Sequence, residues 1–318
     1  MINVNIVFMG TPDFAVGVLR KLIDTNFNVV GVVTAPDRPS GRGRKLNQSA
    51  VKKYAIEQNL PVLQPTNLKS ELFLSELKQL NANLQIVVAF RMLPKVVWQL
   101  PDLGTFNLHA SLLPNYRGAA PINWAIINGE TRTGVTTFFI DDKIDTGAII
   151  LKEELAIDKN DTAGSLHDKL MVLGSELVVK TVKEIEKGNV KTIQQTKLEQ
   201  HQLKEAPKIF KETCKIDWNN SMDAIFNKIR GLNPYPGAWT FLHNNNQSLE
   251  MKIYNVSKEK ENHTHPIGKL IVGKSQLKVA VNEGYISIEE LQLPGKRKMK
   301  IGDLLNGYSF DINSYVFN

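Results

Sequence analysis

The sequence predicts a mostly parallel α/β domain followed by a small antiparallel barrel, and three observations predict this division. In the first half, short β-branched runs alternate with segments of helical periodicity, which is typical of a parallel sheet covered on both faces. A polar stretch rich in Lys, Gln and Glu follows Gly188. Five closely spaced strand patterns, separated by Gly, Asn and Pro, come after it. We therefore expect a Rossmann-like N-terminal domain and a C-terminal OB-like β-barrel.

The N-terminal elements follow from hydrophobic period and from start signals such as Thr11-Pro12-Asp13 before the first helix. In chain order the predicted elements are strand Asn3–Met9, helix Phe14–Ile23, strand Asn28–Thr34, helix Ala50–Gln58, helix Leu68–Leu80, strand Leu84–Phe90, strand Gly104–His109, helix Ala119–Ile127, strand Gly134–Ile140 and helix Ala163–Lys187.

The C-terminal elements are one helix and five strands. They are helix Ser221–Arg230 and strands Ala238–Leu242, Glu250–Val256, Ile267–Val272, Gln276–Val281 and Ile286–Leu291. The predicted domains are accordingly residues 1–188 and 208–318, joined by a linker at 189–207.

Composition excludes several classes of protein. The 318 residues are 42% hydrophobic and 22% charged, an ordinary globular balance, and no run approaches the roughly 20 apolar residues of a membrane helix. Cys214 is the single cysteine, which excludes an intramolecular disulfide and a multi-cysteine metal cluster. With no secretory pattern at the N-terminus, we expect a cytoplasmic location and no membrane. The net charge of +7 suggests an anionic partner.

Two nucleotide-binding patterns fail in their contexts. Gly268–Ser275 (GKLIVGKS) matches the phosphate loop, but that loop must join a strand to a helix. Strand-like residues lie inside and after this match, so we predict a hairpin with Gly273 and Lys274 at its turn. The first strand–helix junction, Gly10-Thr11-Pro12, lacks the glycines of a dinucleotide site. We expect no nucleotide cofactor and no metal.

The densest chemical signal is Phe106–Pro121, FNLHASLLPNYRGAAP. Asn107 and His109 alternate at the end of a strand, so both side chains point to one face at the sheet edge where α/β proteins place their chemistry. An amide donor and a proton-exchanging imidazole suit stabilisation of an oxyanion. The competing explanation is a pair of core polar residues with satisfied hydrogen bonds.

A second signal is DDKIDTG at Asp141–Gly147, directly after a predicted strand. Asp145 either faces the same sheet edge as Asn107 and His109 or lies in a solvated acidic turn. Ser111 lacks a nucleophile-elbow sequence and Cys214 lies in the other half, so the attacking group should belong to a substrate.

The stretch NLHASLLPNYRGAAPI followed by IDTG resembles the core of the formyltetrahydrofolate-dependent formyltransferases. Three further stretches resemble the members of that family that act on methionyl-tRNA: MGTPDFA, TAPDRPSGRGRKL and RGLNPYPGAWTFL. The resemblance implies transfer of the formyl group of 10-formyltetrahydrofolate to the α-amino group of methionine on initiator tRNA. Rival members of the family formylate amino-sugar nucleotides or glycinamide ribonucleotide, while a dehydrogenase or a purely tRNA-binding protein would leave Asn107, His109 and Asp145 unexplained.

The resemblance also implies site residues. Asn107, His109 and Asp145 match the catalytic trio, with Asp145 either holding the imidazole or taking the amine proton. Ser111, Leu112, Leu113 and Pro114 match the folate-contacting turn, and Phe90, Arg91 and Met92 match the strand end that edges the pterin, where Arg91 departs from the common glycine.

Basic residues cluster in two places. Arg38, Arg42, Arg44 and Lys45 form the first cluster, which on its residues alone fits a solvated basic loop as well as an anion-binding one. The resemblance implies that this loop enters the acceptor stem of tRNA, with Arg42 as its key residue. Lys296, Arg297 and Lys298 form the second, which suits backbone phosphates. We expect a monomer that contacts tRNA with both domains.

Overall fold

The computed structural model describes residues 2–40, 45–188, 190–195, 203–244 and 247–317, with the side chains of Ser40 and Lys45 left out. Two compact units are present. The first comprises Met1–Gly118, Thr133–Leu155 and His167–Glu205; the second comprises Ala119–Arg132, Ala156–Leu166 and Ala206–Asn318. The domain boundaries expected from the sequence stay a prediction.

The strands in chain order are β1 (Asn5–Gly10), β2 (Asn28–Val33), β3 (Arg38–Ser40), β4 (Lys45–Asn47), β5 (Val62–Leu63), β6 (Leu84–Val88), β7 (Thr105–His109), β8 (Arg117–Gly118), β9 (Arg132–Phe139), β10 (Ile149–Ala156), β11 (Glu205–Ala206), β12 (Ala238–Asn244), β13 (Gln247–Lys260), β14 (Leu270–Val272), β15 (Leu277–Val281), β16 (Gly284–Gln292), β17 (Met299–Lys300) and β18 (Tyr315–Phe317). The helices are α1 (Asp13–Asp24), α2 (Ala50–Glu57), α3 (Glu71–Gln79), α4 (Lys95–Trp98), α5 (Pro121–Ile127), α6 (Ala163–Glu186), α7 (Met222–Leu232) and α8 (Ile301–Leu305), with a 3₁₀ turn at Glu212–Cys214.

Seven strands form the N-terminal sheet in the order β10-β9-β7-β6-β1-β2-β5. The pairs β1–β2, β1–β6, β2–β5 and β6–β7 are parallel, and β7–β9 is antiparallel. The central strands β1 and β6 are almost entirely buried because helices cover parallel sheets on both faces. The predicted Rossmann-like, mostly parallel architecture is confirmed.

Local capping explains where one prediction was wrong. Helix α3 begins at Glu71 rather than at Leu68, because the Ser70 hydroxyl accepts a hydrogen bond from the Phe73 N–H at 3.4 Å and caps the helix there.

Strand β10 was not predicted, since only Ile149 and Ile150 are buried and the other residues of this edge strand are largely polar.

Strands of the second unit form a nearly closed antiparallel barrel in the order β14-β15-β16-β13-β12-β18, with β17 on β16. Backbone bonds from Val316 to Gly268 (2.8 Å) and from Leu270 to Ser314 (3.1 Å) link the two ends of this order. Trp218 lies buried in the barrel core and donates its indole N–H to the Thr240 hydroxyl at 2.9 Å. The OB-like barrel prediction is confirmed.

The phosphate-loop match is a hairpin, as predicted. β14 and β15 pair in antiparallel register, and the Gly273 N–H donates to the Gln276 carbonyl at 2.8 Å across the turn. No helix follows, so the backbone cannot wrap a phosphate at this position. Within the described residues, no helix combines the length and the apolarity that crossing a membrane requires.

Candidate active site

Strand β7 carries Asn107 and His109 at its carboxyl end. Asn107 pairs with Val87 of β6 and with Phe138 of β9, so it lies between two neighbouring strands. Its side chain is half-buried and has no hydrogen-bond partner among the described residues. The amide donors of Asn107 are therefore free to bind a substrate oxygen.

A backbone carbonyl orients the imidazole of His109. The side chain is 7% exposed, and its Nε2 lies 2.8 Å from the carbonyl oxygen of Tyr116. Because a carbonyl only accepts, Nε2 must carry a hydrogen and donate it. Nδ1 is left for proton exchange, and it lies 3.9 Å from Oδ2 of Asp145, within ion-pair range but beyond hydrogen-bond length.

Asp145 lies in the loop between β9 and β10 with a left-handed backbone (φ 53°). Its Oδ2 accepts a hydrogen bond from the Gly118 N–H at 3.0 Å, while Oδ1 has no partner among the described residues. Only 15% of its side chain is exposed. Asp145 therefore lies beside His109 at the sheet edge where β7 ends, and not in a solvent-exposed acidic turn, which was the alternative interpretation.

The turn Ser111–Pro114 is held from inside the protein. The buried Thr136 hydroxyl donates to the Ser111 carbonyl at 2.6 Å and accepts from the Leu113 N–H at 3.2 Å. The Ser111 hydroxyl donates to the Asn115 carbonyl at 2.7 Å. Leu113 packs in the core, so Leu112 and Pro114 are the half-buried members of the turn.

Lys152 supports the same turn from β10. Its ammonium donates to the Leu113 carbonyl at 2.7 Å, and loss of hydration by burial lowers the pKa of this lysine. Neither Thr136 nor Lys152 stood out in the sequence, because both act on main-chain atoms far away along the chain.

The segment after β6 places Phe90, Arg91 and Met92 at the same carboxyl edge. The Arg91 guanidinium donates to the carbonyls of Thr66 (3.1 Å) and Pro65, and it lies 5.6 Å from the Phe90 ring centre. Partial burial lowers the pKa of Arg91, and the charge of Arg38 lowers it further. Arg91 is thus anchored to main-chain carbonyls, while Met92 is 69% exposed.

The first basic cluster is only partly visible. Arg38 is exposed on β3, which pairs with β4 in an antiparallel hairpin. Arg42 and Arg44 lie outside the described residues, and only the backbone of Lys45 is described. The role expected for this loop stays a prediction.

The second basic cluster lies on the segment between β16 and β17. Lys296, Arg297 and Lys298 are all exposed there. Lys298 forms an ion pair with Glu290 at 3.0 Å and lies 5.1 Å from the Tyr254 ring centre. Because Lys298 is already paired with a carboxylate, its attraction for a phosphate is weaker than that of an unpaired lysine.

Known proteins match both halves of the chain. The family "Formyl transferase" matches residues 3–182, and "Formyl transferase, C-terminal domain" matches residues 208–309. The chain belongs to the formyl transferase family. It is 61% identical over 317 residues, all of both chains, to the methionyl-tRNA formyltransferase of Flavobacterium johnsoniae. It is 53% identical to that of Bacteroides thetaiotaomicron, with 96% of each chain covered.

Solved structures show the same fold at low identity. WlaRD, a sugar 3N-formyl transferase crystallised in the presence of dTDP and 5-N-formyl-THF, superposes with a TM-score of 0.64 at 21% identity over 93% of this chain and all of its own. HypX from Aquifex aeolicus in complex with tetrahydrofolic acid superposes with a TM-score of 0.65 at 17% identity, over 98% of this chain and 49% of its own.

Proposed function

We propose that this family member transfers the formyl group of 10-formyltetrahydrofolate to the α-amino group of methionine on initiator tRNA, the step that prepares this tRNA for translation initiation. The proposal rests on the arrangement of Asn107, His109 and Asp145 in a chain that is 61% identical, end to end, to a methionyl-tRNA formyltransferase. In this reaction the attacking group is the substrate amine and not a protein side chain, which agrees with the absence of a nucleophile elbow at Ser111.

The amine of the substrate is the nucleophile. A free α-amino group has a pKa of roughly 7.7–8.0, so a large fraction is neutral near pH 7.5 and needs little activation. Asn107 donates its unpaired amide hydrogens to the oxygen that gains negative charge as the amine attacks the formyl carbon. Such a donor acts without changing its own charge.

His109 and Asp145 manage the protons. Since Nε2 of His109 is committed to the Tyr116 carbonyl, a proton at Nδ1 supplies the positive charge beside Asp145. Oδ2 of Asp145 is held by the Gly118 N–H, so Oδ1 is the oxygen that accepts the amine proton, directly or through water. Because the Tyr116 carbonyl already holds the imidazole of His109, this hydrogen bond supports a role for Asp145 in taking the amine proton rather than in holding the imidazole. The bond between the formyl carbon and the folate nitrogen then breaks, and that nitrogen leaves in tetrahydrofolate with a proton taken from Nδ1 of His109 or from water.

Folate is proposed to bind at the carboxyl edge of β6 and β7. The main chain of Phe90, Arg91 and Met92 and the turn Ser111–Pro114 would line the pterin, with Thr136 and Lys152 fixing that turn. These are main-chain surfaces with firm internal support, which suits a flat, hydrogen-bonding ring.

The tRNA is proposed to contact both domains. Residues 1–188 would act as the catalytic domain and residues 208–318 as the tRNA-binding barrel, joined by residues 189–207. Arg38, Arg42, Arg44 and Lys45 would bind near the acceptor end, and Lys296, Arg297 and Lys298 would contact phosphates. We further propose a cytoplasmic monomer, and light scattering on the purified chain tests the oligomeric state.

The decisive experiment compares acceptors. The protein is incubated with 10-formyltetrahydrofolate and with methionyl initiator tRNA, an amino-sugar nucleotide or no acceptor, and the formylated product is measured. Formylation of the tRNA alone is expected. Formylation of the sugar without the tRNA would overturn the proposal in favour of the sugar-modifying branch of the family.

A further inference from the structure

Gln195 lies on the chain between the two matched family regions, in the described segment 190–195. Two residues before it, Ile193 exchanges two backbone hydrogen bonds with Ile149, each 2.8 Å long. This bridge lays the segment beside the start of β10. Gln195 consequently reaches the loop that carries Asp145.

The carboxamide of Gln195 makes four hydrogen bonds. Its Nε2 donates to the carbonyls of Asp145 and Gly147, at 2.9 Å each. Its Oε1 accepts from the guanidinium of Arg117, at 3.2 Å from Nε and 2.5 Å from Nη2. Both amide hydrogens and the carbonyl oxygen are used, which requires a side chain that donates and accepts at once.

These bonds hold Asp145 from two directions. The donor end fixes the main chain around Asp145, whose left-handed φ of 53° is uncommon for a residue other than glycine. The acceptor end fixes Arg117, and the N–H of the next residue, Gly118, holds Oδ2 of Asp145. Gln195 therefore ties together both supports of a carboxylate that lies 3.9 Å from His109.

We propose that Gln195 is a positioning residue that sets the place of the Asp145 carboxylate opposite His109. The inference rests on the proposed function, because it takes Asp145 as the proton acceptor. Displacement of a reacting group by about 1 Å can cost about 10²-fold in rate, so loss of this support acts on turnover rather than on substrate binding.

The test uses two adjacent glutamines. Gln195→Ala removes all four bonds, and Gln195→Glu keeps the acceptor for Arg117 but sets a carboxylate against two carbonyl oxygens. Gln194→Ala is the matched control, since Gln194 is exposed and makes no described hydrogen bond. We expect both Gln195 variants to lower kcat by about 10- to 100-fold, with KM for folate and tRNA changed less than about threefold. Gln194→Ala should stay within about twofold of the parent.

A double-mutant cycle separates positioning from general damage. In an Asp145→Asn background, Gln195→Ala should change the single-turnover rate by less than about twofold, because the group that it positions no longer accepts a proton. An equal loss in both backgrounds would overturn the inference, as would a thermal midpoint lowered enough to account for the lost activity.

The two proposals fail in different ways. A parent protein that does not formylate methionyl-tRNA refutes the proposed function and this inference with it. A parent that formylates the tRNA while Gln195→Ala behaves like Gln194→Ala refutes the positioning role alone.

Discussion

Replacing Thr136 by Val tests how the turn Ser111–Pro114 is held. Valine nearly preserves the shape but removes the hydroxyl, so the Ser111 carbonyl and the Leu113 N–H lose their partner at a fully buried position. Each unsatisfied buried group costs about 1–3 kcal/mol, which gives a destabilisation of roughly 2–6 kcal/mol for the pair. At about 2–4 °C per kcal/mol, the thermal midpoint should fall by roughly 4–24 °C.

Thr136→Ser is the matched control, since it keeps the hydroxyl and loses one methyl group at a cost of about 1 kcal/mol. Thermal unfolding followed by circular dichroism measures both variants, and initial rates at varied 10-formyltetrahydrofolate give KM. We expect Thr136→Val to unfold at the lower temperature and to have the larger KM for folate. Equal midpoints for Thr136→Val and Thr136→Ser would refute the argument that the hydroxyl holds the turn.

Three further results are expected. Gly147→Ala should abolish most activity and lower the thermal midpoint, because a Cβ there would lie 1.7 Å from the Phe139 carbonyl oxygen. Gly302→Ala, on helix α8 with no atom within 4 Å of the added Cβ, should leave activity unchanged and should not lower the thermal midpoint, because alanine favours a helix over glycine. Arg297→Ala should reduce by about one the slope of the logarithm of the tRNA-binding constant against the logarithm of salt concentration, measured by filter-binding titrations. Lys298→Ala should reduce this slope by less, because Lys298 is paired with Glu290. Equal slopes for the two variants would contradict this. The Cys214 thiol is 2% exposed and burial raises its pKa, so Ellman's reagent should label it about 100-fold or more slowly in the folded chain than in urea; equal rates would contradict its burial.

Much of the architecture was predictable because local pattern and tertiary role agree. β1, β2 and β6 are predominantly apolar runs because they are buried on both faces, and such runs are visible in any window of the sequence. The hairpin of β14 and β15 was predictable because its Gly-Lys turn interrupts two strand patterns. β10 was not predicted because only its first two residues are buried, so the strand has no apolar run that a sequence window would show.

The sequence predicted the candidate catalytic side chains but not the groups that hold them in place. Asn107 and His109 are recognisable from their alternation on one strand. The group that orients His109 is a main-chain carbonyl, at Tyr116, which leaves no signal in residue type. Gln195 reaches Asp145 across 50 residues of chain, and in the sequence it is one of many glutamines in a polar stretch. Long-range polar contacts of this kind depend on the fold that brings them together.

The central claim is that Asn107 stabilises charge as the formyl group passes to the amine of methionyl-tRNA. Single-turnover formylation of methionyl initiator tRNA by the parent and by Asn107→Ala, both saturated with 10-formyltetrahydrofolate, measures this step directly. The account predicts a rate about 10²–10³-fold lower for Asn107→Ala with unchanged tRNA affinity. A rate within about threefold of the parent would contradict it.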